Sequence, residues 1–198
     1  MGKIIFVIGA TRSGKSAFAV ETAKKIDAGR VVFAATCVPE DSQMRVRVAF
    51  HRKARPSAWK TVEAGADLLT ALKKLSLGFK VVIIDCLTLF VSRLLMEGLE
   101  EKMIINKVRK LALFASKTPR TTIIVSNEVG AGIVPANDLA RRFRDLAGTA
   151  NQIVAKEADE VYLVVAGIPV KIQSGCNLIG SLHNSIRLKK REIRGWKN

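Results

Sequence analysis

Gly9-Ala10-Thr11-Arg12-Ser13-Gly14-Lys15-Ser16 is the stretch on which the reading of the fold turns. It fits G-x-x-x-x-G-K-[ST], and its surroundings fit as well. The apolar segment Lys3–Ile8 precedes it, which suits a buried strand. Ser16–Ile26 follows, with Phe18, Ala19, Ala23 and Ile26 on one helical face, Glu21 and Lys25 as a supporting i,i+4 pair, and Gly29 as the stop. The glycines let the backbone curl so that its N–H groups converge on one anion, and the helix N-terminus adds partial positive charge. Lys15 is expected to reach the β- and γ-phosphates, and the Ser16 hydroxyl to ligate Mg²⁺. The stretch therefore predicts a site for a nucleoside triphosphate.

Four further apolar runs, Arg30–Ala35, Lys80–Ile84, Thr121–Ser126 and Val161–Ala166, lack polar alternation, as strands covered on both faces do. Between them Gly65–Leu77, Val91–Ser116 and Asn137–Lys156 read as helical. Strands alternating with helices predict an α/β fold: a mostly parallel sheet flanked by helices, in the manner of a RecA-like P-loop NTPase. Strand order is not readable from this pattern. Asp85 ends the run Val81–Ile84, at the carboxyl edge where such sheets bind ligands, and is the candidate partner of Ser16 for Mg²⁺.

The length of 198 residues predicts one catalytic domain over 1–180 and a basic tail over 181–198. No run approaches the length of a membrane span, and the N-terminus has no signal-peptide pattern, which points to the cytoplasm. The isolated Cys37, Cys86 and Cys176 suggest neither a disulfide framework nor a zinc site. Net charge is +16, concentrated in two places. His183 to Asn198 holds six basic residues against Glu192 alone, and Met44 to Lys60 holds six with no acid. Such surfaces attract polyanions without specifying which.

Of the two histidines, His183 lies in the tail and reads as solvated. His51 stands among Arg52, Lys53 and Arg55. A neutral imidazole is a competent nucleophile at pH 7. The flanking cations favour the neutral form and stabilise charge developing on an attacked phosphate. Residue chemistry alone leaves open a simpler reading, a surface histidine in a basic helix.

Several strings, taken together, resemble the bifunctional adenosylcobinamide kinase/adenosylcobinamide-phosphate guanylyltransferase family of cobalamin biosynthesis. They are Gly9–Ser16, Ala35-Thr36, His51-Arg52-x-x-Arg55-Pro56-x-x-Trp59, Asp85-Cys86-Leu87-Thr88-Leu89 and Ser126-Asn127-Glu128-Val129-Gly130, followed by Gly132-Ile133-Val134-Pro135, Arg142-Phe143-Arg144-Asp145 and Gly148-x-x-Asn151-Gln152. The phosphate loop is common to many families; the stretch from Asn127 to Asp145 is far more specific. The resemblance implies phosphorylation of adenosylcobinamide by a nucleoside triphosphate, ATP or GTP. It then implies transfer of GMP from GTP to adenosylcobinamide phosphate through a GMP-histidine intermediate on His51. It extends nucleotide contacts to Thr36, Val38, Glu40, Arg52, Lys53, Arg55, Glu63 and Asp85, and suggests a homo-oligomer, plausibly a trimer. Glu128 becomes a candidate base or outer metal partner. Asn127, Arg144, Asp145 and Asn151 become candidates for substrate contact or subunit packing, and Trp59 a packing residue. The chain departs from the family pattern at Ala10, Gln43 and Arg93.

Two other readings remain beside this one. One is a guanylyltransferase that has lost the kinase step. The other is a RecA-like nucleotide-gated nucleic-acid binder, supported only by the charge. The resemblance itself implies no nucleic-acid partner. The tail reads as a solvated arm, a docking helix or a site for an anionic partner.

Overall fold

The computed structural model describes residues 2–37, 55–76 and 78–174. Among them, seven strands form one sheet: β1 (Lys3–Gly9), β2 (Val31–Ala35), β3 (Lys60–Glu63), β4 (Val81–Asp85), β5 (Thr121–Asn127), β6 (Glu160–Val165) and β7 (Ile168–Ser174). The helices are α1 (Lys15–Ile26), α2 (Leu68–Lys73), α3 (Leu87–Met96), α4 (Glu101–Lys117) and α5 (Asp138–Glu157). The sheet order is β3-β2-β4-β5-β1-β6-β7, parallel throughout except for β7, which pairs antiparallel with β6.

Four of the five apolar runs are strands covered on both faces, whereas β6 is only half-buried and leaves Val165 exposed. Val31–Ala35 is buried at every position, as is Ile4 to Gly9 of β1. Alternate residues feed two cores. Ile4, Phe6, Val32, Ile84 and Ile124 pack against α2, α3, α4 and α5. Ile5, Val7, Phe33, Ile83 and Val125 pack against Ala19 and Ala23 of α1 and against Trp59. Trp59 is thus a packing residue: it is buried, and its indole N–H donates to the Ala28 carbonyl at 2.8 Å.

Several local expectations need correction. Val91–Ser116 is not one helix. It contains parts of α3 and α4, broken at Gly98, whose φ of 79° belongs to a turn and not to a helix. The helix expected from Gly65 begins with a 3-10 turn at Gly65–Asp67 and ends at Lys73. α1 stops at Ile26, where Asp27 leaves helical geometry, before Gly29 is reached. Ile26 is 43% exposed and so is not part of the buried face. Glu21 pairs with Lys24 at 2.7 Å, an i,i+3 contact, in place of the expected Lys25. The last expected strand ends at Val165, and Ala166 belongs to the turn into β7. Both β3 and β7 lie at sheet edges and were not foreseen. The proposed boundary near Gly180, the basic tail with His183, and Cys176 lie outside the described residues.

Candidate functional site

The strand ends bring the predicted residues to one edge of the sheet. Pairing places Glu63 opposite Ala35, and Ala35 opposite Asp85. β5 runs between β4 and β1, so the Asp85 strand is one strand removed from the strand that feeds the phosphate loop. Glu63 is exposed at the end of β3, a strand position and not a helical one. Val38, Glu40, His51, Arg52 and Lys53 lie outside the described residues.

The loop itself is shaped by backbone geometry. Arg12 (φ 60°) and Gly14 (φ 95°) adopt left-handed conformations that turn the chain into α1. Ala10, Thr11 and Arg12 are exposed, whereas Ser13 and Lys15 are buried. Lys15 Nζ donates to the Ala10 carbonyl at 2.9 Å, spanning the loop. The Ser13 hydroxyl is buried without a hydrogen-bond partner, the kind of orphaned group an incoming phosphate oxygen would satisfy.

Two main-chain struts hold the loop. The Glu128 N–H donates to the Gly9 carbonyl at 2.9 Å, and the Gly167 N–H donates to the Ser13 carbonyl at 2.8 Å. The second strut comes from the β6–β7 turn, where Ala166 (φ 50°) and Gly167 (φ 82°) lie between the strands. That turn sits close enough for a Cβ on Gly14 to meet the Gly167 Cα at 3.0 Å. A Cβ on Gly9 would meet the Val164 carbonyl at 2.5 Å. Both glycines are therefore required by close approach.

A polar network fixes the neighbouring strand ends. The Thr36 hydroxyl is buried and makes a reciprocal pair with Cys86: it donates to the Cys86 carbonyl and accepts from the Cys86 N–H, both at 2.7 Å. The Asp85–Cys86 peptide is cis. Thr88 Oγ1 lies 3.1 Å from Cys86 Sγ and accepts from Asn127 Nδ2, also at 3.1 Å. Asn151 of α5 donates to the Asn127 carbonyl and accepts from the Ser126 hydroxyl at 2.6 Å. Buried Asn151 thus ties α5 to β5. Arg144 and Asp145 pair with each other at 3.1 Å, the Asp145 side chain 70% exposed. Arg93 pairs with Glu97 along α3 at 2.8 Å.

Burial pushes the Cys86 thiol up to about 11, with the Asp85 charge adding to it and the Lys15 charge opposing it. Lys15 and Asp85 therefore act on one buried atom from opposite electrostatic sides. The thiol stays protonated at neutral pH and is not a nucleophile. Arg55 stacks on Phe33, its guanidinium carbon 3.3 Å from the ring centroid, a cation–π contact near the carboxyl end of β2.

Ser16 and Asp85 offer hard oxygen donors, the type Mg²⁺ takes. Among the described residues no group of three His, Cys, Asp or Glu side chains could hold a metal.

Sequence reasoning missed the Thr36–Cys86 clamp and the Gly167 strut. The Thr36–Cys86 bonds join residues fifty apart in sequence, so no local spacing announces them.

A glycine-rich loop between a buried parallel strand and a helix, with an acid ending the strand just beyond the neighbouring one, defines a P-loop NTPase of RecA-like layout. A KaiC-like protein from Pyrococcus horikoshii has the same fold, with a TM-score of 0.50 and 18% identity, covering 82% of this chain and 70% of that one. The chain belongs to the cobinamide kinase / cobinamide phosphate guanyltransferase family, whose model matches residues 5–172. The bifunctional adenosylcobalamin biosynthesis proteins CobU of Salmonella typhimurium and Escherichia coli are each 37% identical over 182 residues, covering 86% of this chain and 99% of theirs. CobP of Pseudomonas aeruginosa, with the same description, is 33% identical over 167 residues, covering 84% of this chain and 95% of its own. No described helix is long and apolar enough to cross a membrane.

Proposed function

We propose that this chain is a bifunctional enzyme that phosphorylates adenosylcobinamide with a nucleoside triphosphate and then joins GMP from GTP to the product, giving adenosylcobinamide-GDP. The observation that carries this reading is the phosphate loop, with Lys15 drawn across it and Ser13 unpartnered inside it, in a chain of this family. The loop N–H groups and Lys15 hold the triphosphate and stabilise charge as it develops on the transferred group. Bound through Ser16 and Asp85, Mg²⁺ would neutralise phosphate charge. Thr36 acts as the clamp that fixes the Asp85 strand end, and Arg55 and Glu63 flank the nucleotide on the β2–β3 side. Residues Val38, Glu40, Arg52 and Lys53 complete the nucleotide contacts, on the family resemblance alone. Glu128, beside the loop, is the candidate base for the hydroxyl that attacks in the kinase step.

In the transfer step a ring nitrogen of neutral His51 attacks the α-phosphorus of GTP. A P–N bond forms, the bond to the β-phosphate oxygen breaks, and pyrophosphate departs. An oxygen of adenosylcobinamide phosphate then attacks the phosphoramidate and returns the electron pair to His51. Dividing the transfer this way replaces one difficult displacement with two easier ones. GTP labelled at the α-phosphate should leave acid-labile, base-stable label on the protein, and none on His51→Ala. Label that persists on that variant overturns the assignment. The kinase half is read separately, as formation of adenosylcobinamide phosphate from adenosylcobinamide, ATP and Mg²⁺.

The enzyme works in the cytoplasm, where its nucleotides are supplied, and as a homo-oligomer, a trimer on the family pattern. The exposed apolar side chains Val165, Ile168, Val170 and Ile172 on the β6–β7 edge, with Ile133 98% exposed within the Asn127–Asp145 motif, support an assembly surface. Light scattering that returns a monomer mass at micromolar concentration rejects it.

A further inference from the structure

At the end of the sheet opposite the phosphate loop, four neighbouring strands begin on a basic residue or directly after one. Arg30 precedes β2, Lys80 precedes β4, Arg120 precedes β5, and Lys3 opens β1. The register sets Val31 opposite Val81, Val81 opposite Thr121, and Thr121 opposite Lys3. Strands in a sheet lie about 4.8 Å apart, so these cations form one row along the amino edge. They line a groove of about 380 Å³, a size within the usual range of small-molecule sites.

The charge in this groove is unbalanced. Among the described residues Asp27 is the one carboxylate in its wall, and Arg30 engages it at 2.6 Å. Lys3 pairs with Glu160 at 2.6 Å. Lys80 has no ion pair among the described residues. Arg120 is only 6% exposed and meets no carboxylate among the described residues: its Nη2 donates to the carbonyls of Leu75 and Ser76 at 3.1 and 3.2 Å. Its Nε is buried with no hydrogen-bond partner. Taking a guanidinium out of water with only carbonyls for company is unfavourable, and burial lowers its pKa for that reason. That guanidinium is held at Leu75 and Ser76, so the accessible charge of the groove rests on Lys80, with Arg30 and Lys3 beside it.

We propose that this groove is a second anion site that takes a short oligophosphate such as pyrophosphate. Arginine offers a planar fork to phosphate oxygens and lysine a point charge, so the row supplies both modes of phosphate recognition. Among the described residues no aromatic side chain lines the groove for a nucleobase to stack on. The ligand is the phosphate chain itself.

The test uses the full chain carrying Lys15→Ala, which silences the phosphate loop, with pyrophosphate as the probe at low salt. Bound pyrophosphate should slow acetylation of Lys80 at least fivefold, while Lys102 and Lys110 on α4 react unchanged. Calorimetric affinity should fall at least tenfold on adding Lys80→Glu, and by a similar factor on adding Arg30→Ala. Wild-type chain with its loop saturated by a non-hydrolysable nucleotide gives the same footprint, should Lys15→Ala fold poorly. Equal labelling of Lys80 with and without pyrophosphate overturns the proposal. So does an affinity that Lys80→Glu leaves unchanged, which would assign the binding to the basic segments elsewhere in the chain.

Discussion

The two ends of the sheet are built by different means. At the carboxyl edge, positive potential comes mainly from the main chain: loop N–H groups and a helix terminus, with Lys15 as the single buried cation there among the described residues. At the amino edge it comes from side chains, Lys80 together with Lys3 and Arg30, the last two already paired with acids. The first arrangement is rigid and needs glycines, and a hydroxyl clamp steadies the strand ends beside it. The second needs only that strands start in register. Chemistry on a triphosphate demands fixed donors, whereas holding an anion demands only charge and room.

Substitutions should separate the two ends. The largest effect is expected for Lys15→Ala, which should lower kcat of the kinase step by about 10²–10³-fold, as removing one electrostatic donor commonly does. Steady-state rates with ATP check it, and loss under threefold would remove Lys15 from the reaction. Next comes Thr36→Val, which orphans the buried N–H and carbonyl of Cys86 at about 1–3 kcal/mol for each group. Thr36→Ser keeps both bonds and should restore most of the loss. Denaturant unfolding measures the stability, and manganese binding followed by electron paramagnetic resonance reads the Asp85 site. Equal behaviour of the Val and Ser variants would sink the clamp. Gly14→Ala should weaken nucleotide binding about tenfold, because a left-handed alanine costs roughly 1–2 kcal/mol and its Cβ would press on Gly167. Nucleotide titration by fluorescence checks this.

The smallest effect belongs to the other end. Hydrogen bonds from Lys3 first, then from the Tyr162 hydroxyl, hold Glu160 down at about 2, against an ordinary value of 4.5. Its folded pKa is depressed, so its contribution to stability is fully present above pH 4.5 and is lost as pH falls toward 2. Glu160→Gln should flatten the acid limb of the stability curve in that window and leave neutral-pH nucleotide binding unchanged. Parallel acid limbs for the two proteins would count against the Lys3–Glu160 pairing.

The phosphate-loop pattern was legible in the sequence because its chemistry fixes residue type and spacing within one strand–turn unit, and the place of Asp85 was legible because it ends an apolar run. The buried strands were legible because double coverage removes polar alternation. β3 was not: Lys60-Thr61-Val62-Glu63 is short and half exposed, with no apolar run to mark it. β7 escaped as well, with Pro169 near its start and every residue from Ile168 to Ile172 exposed. The break between α3 and α4 rested on one glycine inside an otherwise helical pattern. Asn151 could be singled out from the sequence, but whether it faced solvent, substrate or core depended on the docking of α5 against β5.

The struts under the phosphate loop are peptide groups, and this separates architecture from chemistry at position 128. Replacing Glu128 with alanine erases its carboxylate yet leaves the N–H that braces Gly9. Proline is the one substitution there that deletes the brace itself. A saturation library at this codon should therefore sort into two failure classes, inactive but intact chains and a lone collapsed one, where a side-chain brace would have produced a continuum.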